Sequence, residues 1–230
     1  MKRCHPERTA DTLLLGDNQT MLVLASASPR RRELLTQAGY TFTVAPANIL
    51  EDTLPSESPI AFVIRLAREK AAAASAQLAL NETNAEPTLV LGADTTVVAP
   101  NGEILGKPTH AADAARMLRL LSGATHQVIT GVALVAPGSL ETAAEITHVT
   151  MLTLSESEIA NYIATGEPMD KAGAYAIQGR AARWIPRVHG CYFNVVGLPL
   201  ALVSSMIEGA RRRLKQAASP VLETATPLLK

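Results

Sequence analysis

A chain of 230 residues with 47% apolar and 18% charged side chains has the material for one large α/β domain or two small ones, which excludes a disordered polymer. Twenty-one basic residues balance 21 acidic ones and aromatics make up 3%, which argues against a general nucleic-acid binder, so any bound anion must meet a local cluster of cations. The two cysteines, Cys4 and Cys191, have no metal-ligand spacing, and no apolar run reaches the roughly 20 residues of a membrane span, so a reducing cytoplasm with no membrane partner is expected.

In chain order, residues 1–20 show no sustained period and read as a flexible extension. Glu7, Arg8, Asp11 and Asp17 interrupt any secretory signal there. Met21 stands directly before the first clear strand, 22–25, and is a second candidate start of translation. The domain itself is placed at 21–208, with a helix end and tail over 209–230. Ser28 as N-cap and Pro29 in the first turn open a helix that Gly39 closes. A second helix begins at Ser58-Pro59 and passes Phe62, Leu66 and Lys70 into an alanine-rich stretch. Residues 81–87 are polar and loop-like. A buried strand is expected over 89–93, and a short one over 96–99 pairs across Asn101-Gly102 with 103–105. A helix over 111–121 is followed by long strands over 127–135 and 145–154. Ser155 and Glu158 form a capping box that opens a helix running to Gly166. A glycine-dotted segment leads to a helix over 198–215, and Pro220 and Pro227 mark the tail. The order β-α-α-β-β-β-α-β-β-α-β-α predicts an α/β fold, a mixed β-sheet with helices on its faces.

The chemistry begins at Ser26-Ala27-Ser28-Pro29-Arg30-Arg31-Arg32, where a strand turns into a helix. Free backbone N–H groups and the positive dipole end favour an anion there. Three arginines in a first turn oppose the dipole, and such a local violation often marks function. The alternative is a solvated basic turn. Asp94, in Gly92-Ala93-Asp94-Thr95, sits just past an expected strand end, where it can hold a metal or orient water; it can equally just begin a turn. Lys107, between Gly106 and Pro108, and Lys70, on its helix, are candidate phosphate contacts. For Lys70 alone, beside Arg65, Arg68 and Glu69, an exposed helix face is the simpler reading. Glu51-Asp52 can supply a second carboxylate. The run from Asp170-Lys171 to Gln178-Gly179 resembles a binding loop, and the Gln178 amide can read a base edge. His189 and Cys191 share a face if extended, but nothing orients them as a nucleophilic pair. A Walker loop is absent from the sequence.

The strings LASASPRRRELL (24–35), RLAREKA (65–71), LGADT (91–95), GKP (106–108), LSGATHQVITGVAL (121–134), EPMDKAGAYAIQG (167–179) and VVGLPL (195–200) occur in this order. Together they resemble the Maf family of nucleoside triphosphate pyrophosphatases over residues 22–207. The resemblance implies a fold like the inosine-triphosphate pyrophosphatases, an elongated mixed sheet with a cleft between two lobes, and a homodimer. It implies that Ser26, Arg30 and Arg31 bind the triphosphate, with Asp170 and Lys171 in the binding loop and positive charge from Lys70 and Lys107. Glu51 and Asp94 would coordinate a divalent metal cation, Mg²⁺ or Mn²⁺, and Asp94 would also be the general base. Arg30, Thr95 and Gln178 would set specificity, since Thr after Gly-Ala-Asp and Ile-Gln-Gly resemble the dTTP/UTP branch. Ala176 departs from a glycine in many relatives. The expected reaction is water attack at the α-phosphate, releasing monophosphate and pyrophosphate. A 7-methyl-GTP or broad-specificity pyrophosphatase, and a non-catalytic nucleotide-binding regulator of cell division, are the alternatives.

Overall fold

The computed structural model describes residues 20–79 and 87–218. The expected extension up to residue 19, the polar segment 81–86 and the tail from residue 219 lie outside the described residues. Strands β1 (Met21–Leu24), β2 (Thr43–Val44), β3 (Thr88–Val98), β4 (Ile104–Leu105), β5 (Thr125–Ala136), β6 (Ser139–Thr150) and β7 (Arg187–His189) form one seven-stranded sheet. Its order is β2-β1-β3-β5-β6-β7, with β4 also on β3. β1 runs parallel to β2 and β3, and every other pairing is antiparallel, so the sheet is mixed as expected.

Helices α1 (Pro29–Gln37), α2 (Pro59–Ala79), α3 (Ala111–Leu121), α4 (Glu156–Ile163), α5 (Tyr192–Val196) and α6 (Leu200–Ala218) cover the sheet. The period of two along β3 sorts them. Leu89, Leu91 and Ala93 face a core shared with Leu34 and Leu35 of α1 and with Val203, Met206 and Ile207 of α6. Further along the same face, Val97 and Ala99 enter a second core with Leu118 and Leu121 of α3 and Ile159 and Tyr162 of α4. Thr95 falls between the two cores. The opposite face carries α2, whose Ala67, Ala71 and Ala74 pack on Val23, Val90 and Ala133.

Small residues let α2 descend onto the sheet. A Cβ at Gly92 would lie 2.1 Å from the Ala67 carbonyl oxygen, and one at Gly131 would lie 2.3 Å from that of Val63. These glycines interrupt strands where another backbone comes close, which is what glycine in a strand interior commonly marks.

Three expectations are corrected. The strands expected at 89–93 and 96–99 are one continuous strand, because β5 pairs with β3 without a break from Val90 to Val98. Asp94 therefore lies inside a strand rather than past its end. Ser28 occupies the N-cap of α1, but its side chain makes no capping bond; its N–H instead donates to Ser26 Oγ at 3.3 Å. The helix expected over 198–215 begins at Leu200, separated from α5 by Gly197 at φ +127°.

Candidate active site

The site forms where a sheet edge is left open. β1 pairs with β3 only from Thr88 to Leu91, and β4 pairs only with Val97 and Val98. Between them the edge of β3 has no strand beside it, and its backbone groups need other partners. The segment after β1 supplies them. The Ala25 N–H donates to the Leu91 carbonyl at 2.8 Å, and Arg31 reaches back from the first turn of α1 to the Ala93 carbonyl at 2.9 Å.

Arg31 is buried, and four of the five N–H groups of a guanidinium are engaged. Besides Ala93 it donates to Ser26 Oγ at 3.0 Å, Thr95 Oγ1 at 3.0 Å and the Gly197 carbonyl at 2.9 Å. Burial draws its pKa down, against the opposing pull of the Asp94 charge. Thr95 Oγ1 also meets Thr130 Oγ1 at 2.9 Å and the Gly197 carbonyl at 3.3 Å. An expected triphosphate contact, Arg31, and an expected specificity residue, Thr95, are thus bonded to each other and to the framework. At most one N–H of Arg31 is left to point at a ligand.

On the other face of β3, Asp94 meets α2. Lys70 Nζ lies 2.7 Å from Asp94 Oδ1 and 2.6 Å from Glu51 Oε1, so one ammonium joins both carboxylates. Lys70 and Asp94 are each 8% exposed, so the simple reading of Lys70 as an exposed helix residue does not hold. Burial raises the Glu51 pKa, but its bond to Lys70 and the nearby charges of Lys107 and Arg31 outweigh that and hold it below the ordinary carboxylate value. Lys107 follows β4 and makes no ion pair among the described residues.

The far wall is the segment 167–179. Arg30 donates to Asp170 Oδ2 at 3.2 Å and to the Asp170 carbonyl at 3.4 Å, bridging α1 to this wall. Lys171 also bonds Asp170, and donates to the Glu167 carbonyl at 2.9 Å. Burial raises the Asp170 pKa, yet Lys171 and Arg30 bring it below the usual value. Tyr162 secures the wall by accepting from the Ala176 N–H at 3.0 Å and donating to Glu167 Oε1 at 2.8 Å. Gln178 is exposed at the rim.

All eleven residues expected from the sequence line one cleft of about 660 Å³: Ser26, Arg30, Arg31, Glu51, Lys70, Asp94, Thr95, Lys107, Asp170, Lys171 and Gln178. His189 and Cys191 do not line it. The sequence reading assigned no role to Gly197, Thr130 or Tyr162, although Gly197 and Thr130 lie within the VVGLPL and LSGATHQVITGVAL strings; they hold Arg31, Thr95 and Glu167 of the cleft through a backbone carbonyl or a hydroxyl. Gly131, opposite Asp94 on β5, did leave a signal as a glycine inside a long strand.

The fold and site are those of an α/β protein whose sheet opens at one strand edge into a charged cleft, with five cations (Arg30, Arg31, Lys70, Lys107, Lys171) among four carboxylates (Glu51, Asp94, Glu167, Asp170). The chain belongs to the Maf family: the family model described as Maf-like protein matches residues 21–210. It is 51% identical over 189 residues to the dTTP/UTP pyrophosphatase of Koribacter versatilis (strain Ellin345), covering 82% of this chain and 94% of that one. The dTTP/UTP pyrophosphatase of Geobacter sulfurreducens is 51% identical over 193 residues, covering 83% of this chain and 95% of its own. That of Shigella sonnei is 51% identical over 181 residues, with 79% and 88% covered. No helix among the described residues is long and apolar enough to cross a membrane.

Proposed function

We propose that this chain hydrolyses dTTP and UTP to the nucleoside monophosphate and pyrophosphate. The observation that carries the reading is convergence: the eleven site residues named above line one cleft, in a chain about half identical to proteins named for that activity. In the reaction, a water oxygen bonds the α-phosphorus while the bond from that phosphorus to the α,β-bridging oxygen breaks. Asp94 accepts the water's proton, and pyrophosphate leaves with the bridging oxygen. Charge grows on the departing oxygens, so fixed cations facing them lower the barrier. Lys107, Lys171 and Arg30 line the cleft walls and would supply that charge. Lys70 orients Asp94 and Glu51, while Ser26 and the N–H groups at the start of α1 face the phosphates. Arg31 holds that turn in place.

Glu51 and Asp94 would hold a divalent cation, Mg²⁺ or Mn²⁺. The donor set fits one that arrives with its nucleotide. The described residues hold no group of three or more acidic, His or Cys side chains suited to a metal. Mg²⁺ characteristically takes one or two carboxylates and completes its shell with phosphate oxygens and water. Bound there, the ion would neutralise phosphate charge and polarise the attacking water. Five cations against four carboxylates leave little net charge for a triphosphate, which also favours a nucleotide that brings its own cation.

For base selection, Arg30 and Gln178 lie at the rim, where a base edge can meet them. Thr95, bonded to Arg31 and Gly197, would act through the position of those groups. A homodimer working in the cytoplasm completes the reading, as the family resemblance implies; sedimentation of the purified chain tests the dimer.

The test of function is pyrophosphate release from dTTP, UTP, CTP, dATP, GTP and 7-methyl-GTP, with and without Mg²⁺ or Mn²⁺. Metal-dependent release from dTTP and UTP is expected. Release confined to 7-methyl-GTP overturns the base assignment, and nucleotide binding without release overturns the enzyme.

A further inference from the structure

Glu51 has an unusual support. It lies in the irregular segment 45–58 between β2 and α2, and its side chain remains half exposed, at 50%. A carboxylate on such a loop reaches a fixed point only if something anchors the backbone beside it. Arg65, on α2, does so. Its Nη2 donates to the carbonyl of Asp52, the residue after Glu51, at 2.8 Å. Its Nε and Nη2 clasp the two oxygens of Glu57 at 2.7 and 2.8 Å. Glu57 in turn accepts the Leu54 N–H at 3.2 Å and returns its own N–H to the Leu54 carbonyl at 3.1 Å. Glu69, one turn along α2, and the Phe62 ring at 5.6 Å confine the guanidinium from the helix side. The Arg65 and Glu57 side chains are only 15% and 8% exposed, yet neither lines the cleft.

We propose that Arg65, with Glu57, is a positioning residue for Glu51: it ties the loop to the helix that carries Lys70, so that Glu51 and Asp94 converge on one point. The inference rests on the proposed part of Glu51 in holding the metal–nucleotide. Arg65 touches neither substrate nor metal. The planar fork is what the arrangement uses, since a single ammonium cannot clasp both Glu57 oxygens and also reach the Asp52 carbonyl.

The test compares Arg65→Ala, Arg65→Lys, Glu51→Gln and the double variant Arg65→Ala/Glu51→Gln in the full chain. Mn²⁺ binding is measured by electron paramagnetic resonance with a non-hydrolysable α,β-methylene dTTP bound, alongside turnover of dTTP against Mg²⁺ concentration. Outer partners of metal ligands commonly change metal affinity by about 10–100-fold. Arg65→Ala is expected to weaken Mn²⁺ binding within that range, and Arg65→Lys to recover only part of it. Hydrogen exchange at 51–57 should quicken in both, while the rest of the chain stays protected. In the Glu51→Gln background, Arg65→Ala should have almost no further effect on metal binding. Mn²⁺ affinity within twofold of wild type in Arg65→Ala, with Glu51→Gln clearly impaired, overturns the inference alone. So does an equal loss from Arg65→Ala in both backgrounds. Wild-type Mn²⁺ affinity and turnover in Glu51→Gln overturn the assignment of Glu51 and this inference with it.

Discussion

Gly131→Ala probes the seat of α2 and, through it, the geometry of the site. Gly131 pairs with Asp94 across β3 and β5, and both face α2. The added Cβ would stand 2.3 Å from the Val63 carbonyl oxygen, 2.4 Å from its carbon and 2.7 Å from the Ile64 nitrogen. All three are backbone atoms of a helix, so no side chain can swing aside. To regain ordinary van der Waals contact the helix must lift by about 1 Å, an overpacking that typically costs roughly 1–3 kcal/mol. For a chain of this size that lowers the melting temperature by about 2–4 °C for each kcal/mol. Lys70 lies two turns further along α2, and its 2.7 Å contact with Asp94 cannot survive such a lift unchanged. A misplacement of about 1 Å in a catalytic array can reduce rate by on the order of 100-fold. The variant should therefore fold, melt lower, and lose kcat/KM for dTTP by more than its stability loss explains at 25 °C. Thermal unfolding and steady-state pyrophosphate release read the two effects separately. Wild-type melting and wild-type turnover together would refute the tight seating of α2 as the determinant of Lys70.

Asp94→Asn keeps the shape of the side chain but cannot take a proton, so turnover of dTTP should fall by about 100- to 10,000-fold with an unchanged circular dichroism spectrum; comparable turnover removes Asp94 as the base. Gln178→Ala alters an exposed rim side chain, so stability should stay within about 0.5 kcal/mol while the ratio of kcat/KM for dTTP over purine triphosphates changes; an unchanged ratio excludes Gln178 as a reader. His126 predicts a pH dependence of stability. Burial pushes its pKa down from 6.5 to about 4, so it stays neutral in the fold, with Nε2 2.8 Å from the Tyr175 hydroxyl. The unfolded chain then binds the proton more readily. Stability from this group is complete above pH 6.5 and is lost as pH falls towards 4, by about 3 kcal/mol in all. Urea unfolding across that range should show a shallower loss in His126→Gln than in wild type, and parallel curves would contradict the assignment.

Much of the architecture was legible because it rests on local rules. The apolar run 22–25, the Ser-Pro start of α1 and the capping box at Ser155 and Glu158 all act within a few residues. The box is present with both of its bonds. The arginines were legible because cations are costly in a first helical turn, whereas Lys70 and Glu51 read locally as ordinary exposed positions and came only with the family resemblance. The roles of the arginines were less legible. Three consecutive arginines look like one cluster, but successive helix positions point about 100° apart. Arg30 turns to Asp170, Arg31 is buried under Gly197, and Arg32 is exposed beside Glu33 on a separate shallow surface. Asp94 and Thr95, adjacent in one motif, likewise face opposite sides of β3. That follows once both lie in one strand, and what makes the strand continuous there is its pairing with β5, some 35 residues away.

The same pairing explains why the cleft lies where it does. A strand buried in a sheet normally has both of its edges satisfied. β3 is 11 residues long, while its neighbour on one side, β1, has only four, so the edge of β3 past Leu91 needs donors from elsewhere. Closing it with another strand would leave no room for a ligand. Arg31 reaches the Ala93 carbonyl at 2.9 Å without a strand's width of backbone, and it brings a buried charge for Asp94 to feel across the sheet. One side chain thereby satisfies the Ala93 carbonyl on that edge and leaves the space beside it open. An arginine that opposes the dipole of its own helix is thus the one that satisfies an edge left bare by the mismatch in strand lengths. Of the cations around the opening, Arg30, Lys70 and Lys171 pair with its carboxylates, and Lys107 makes no ion pair among the described residues.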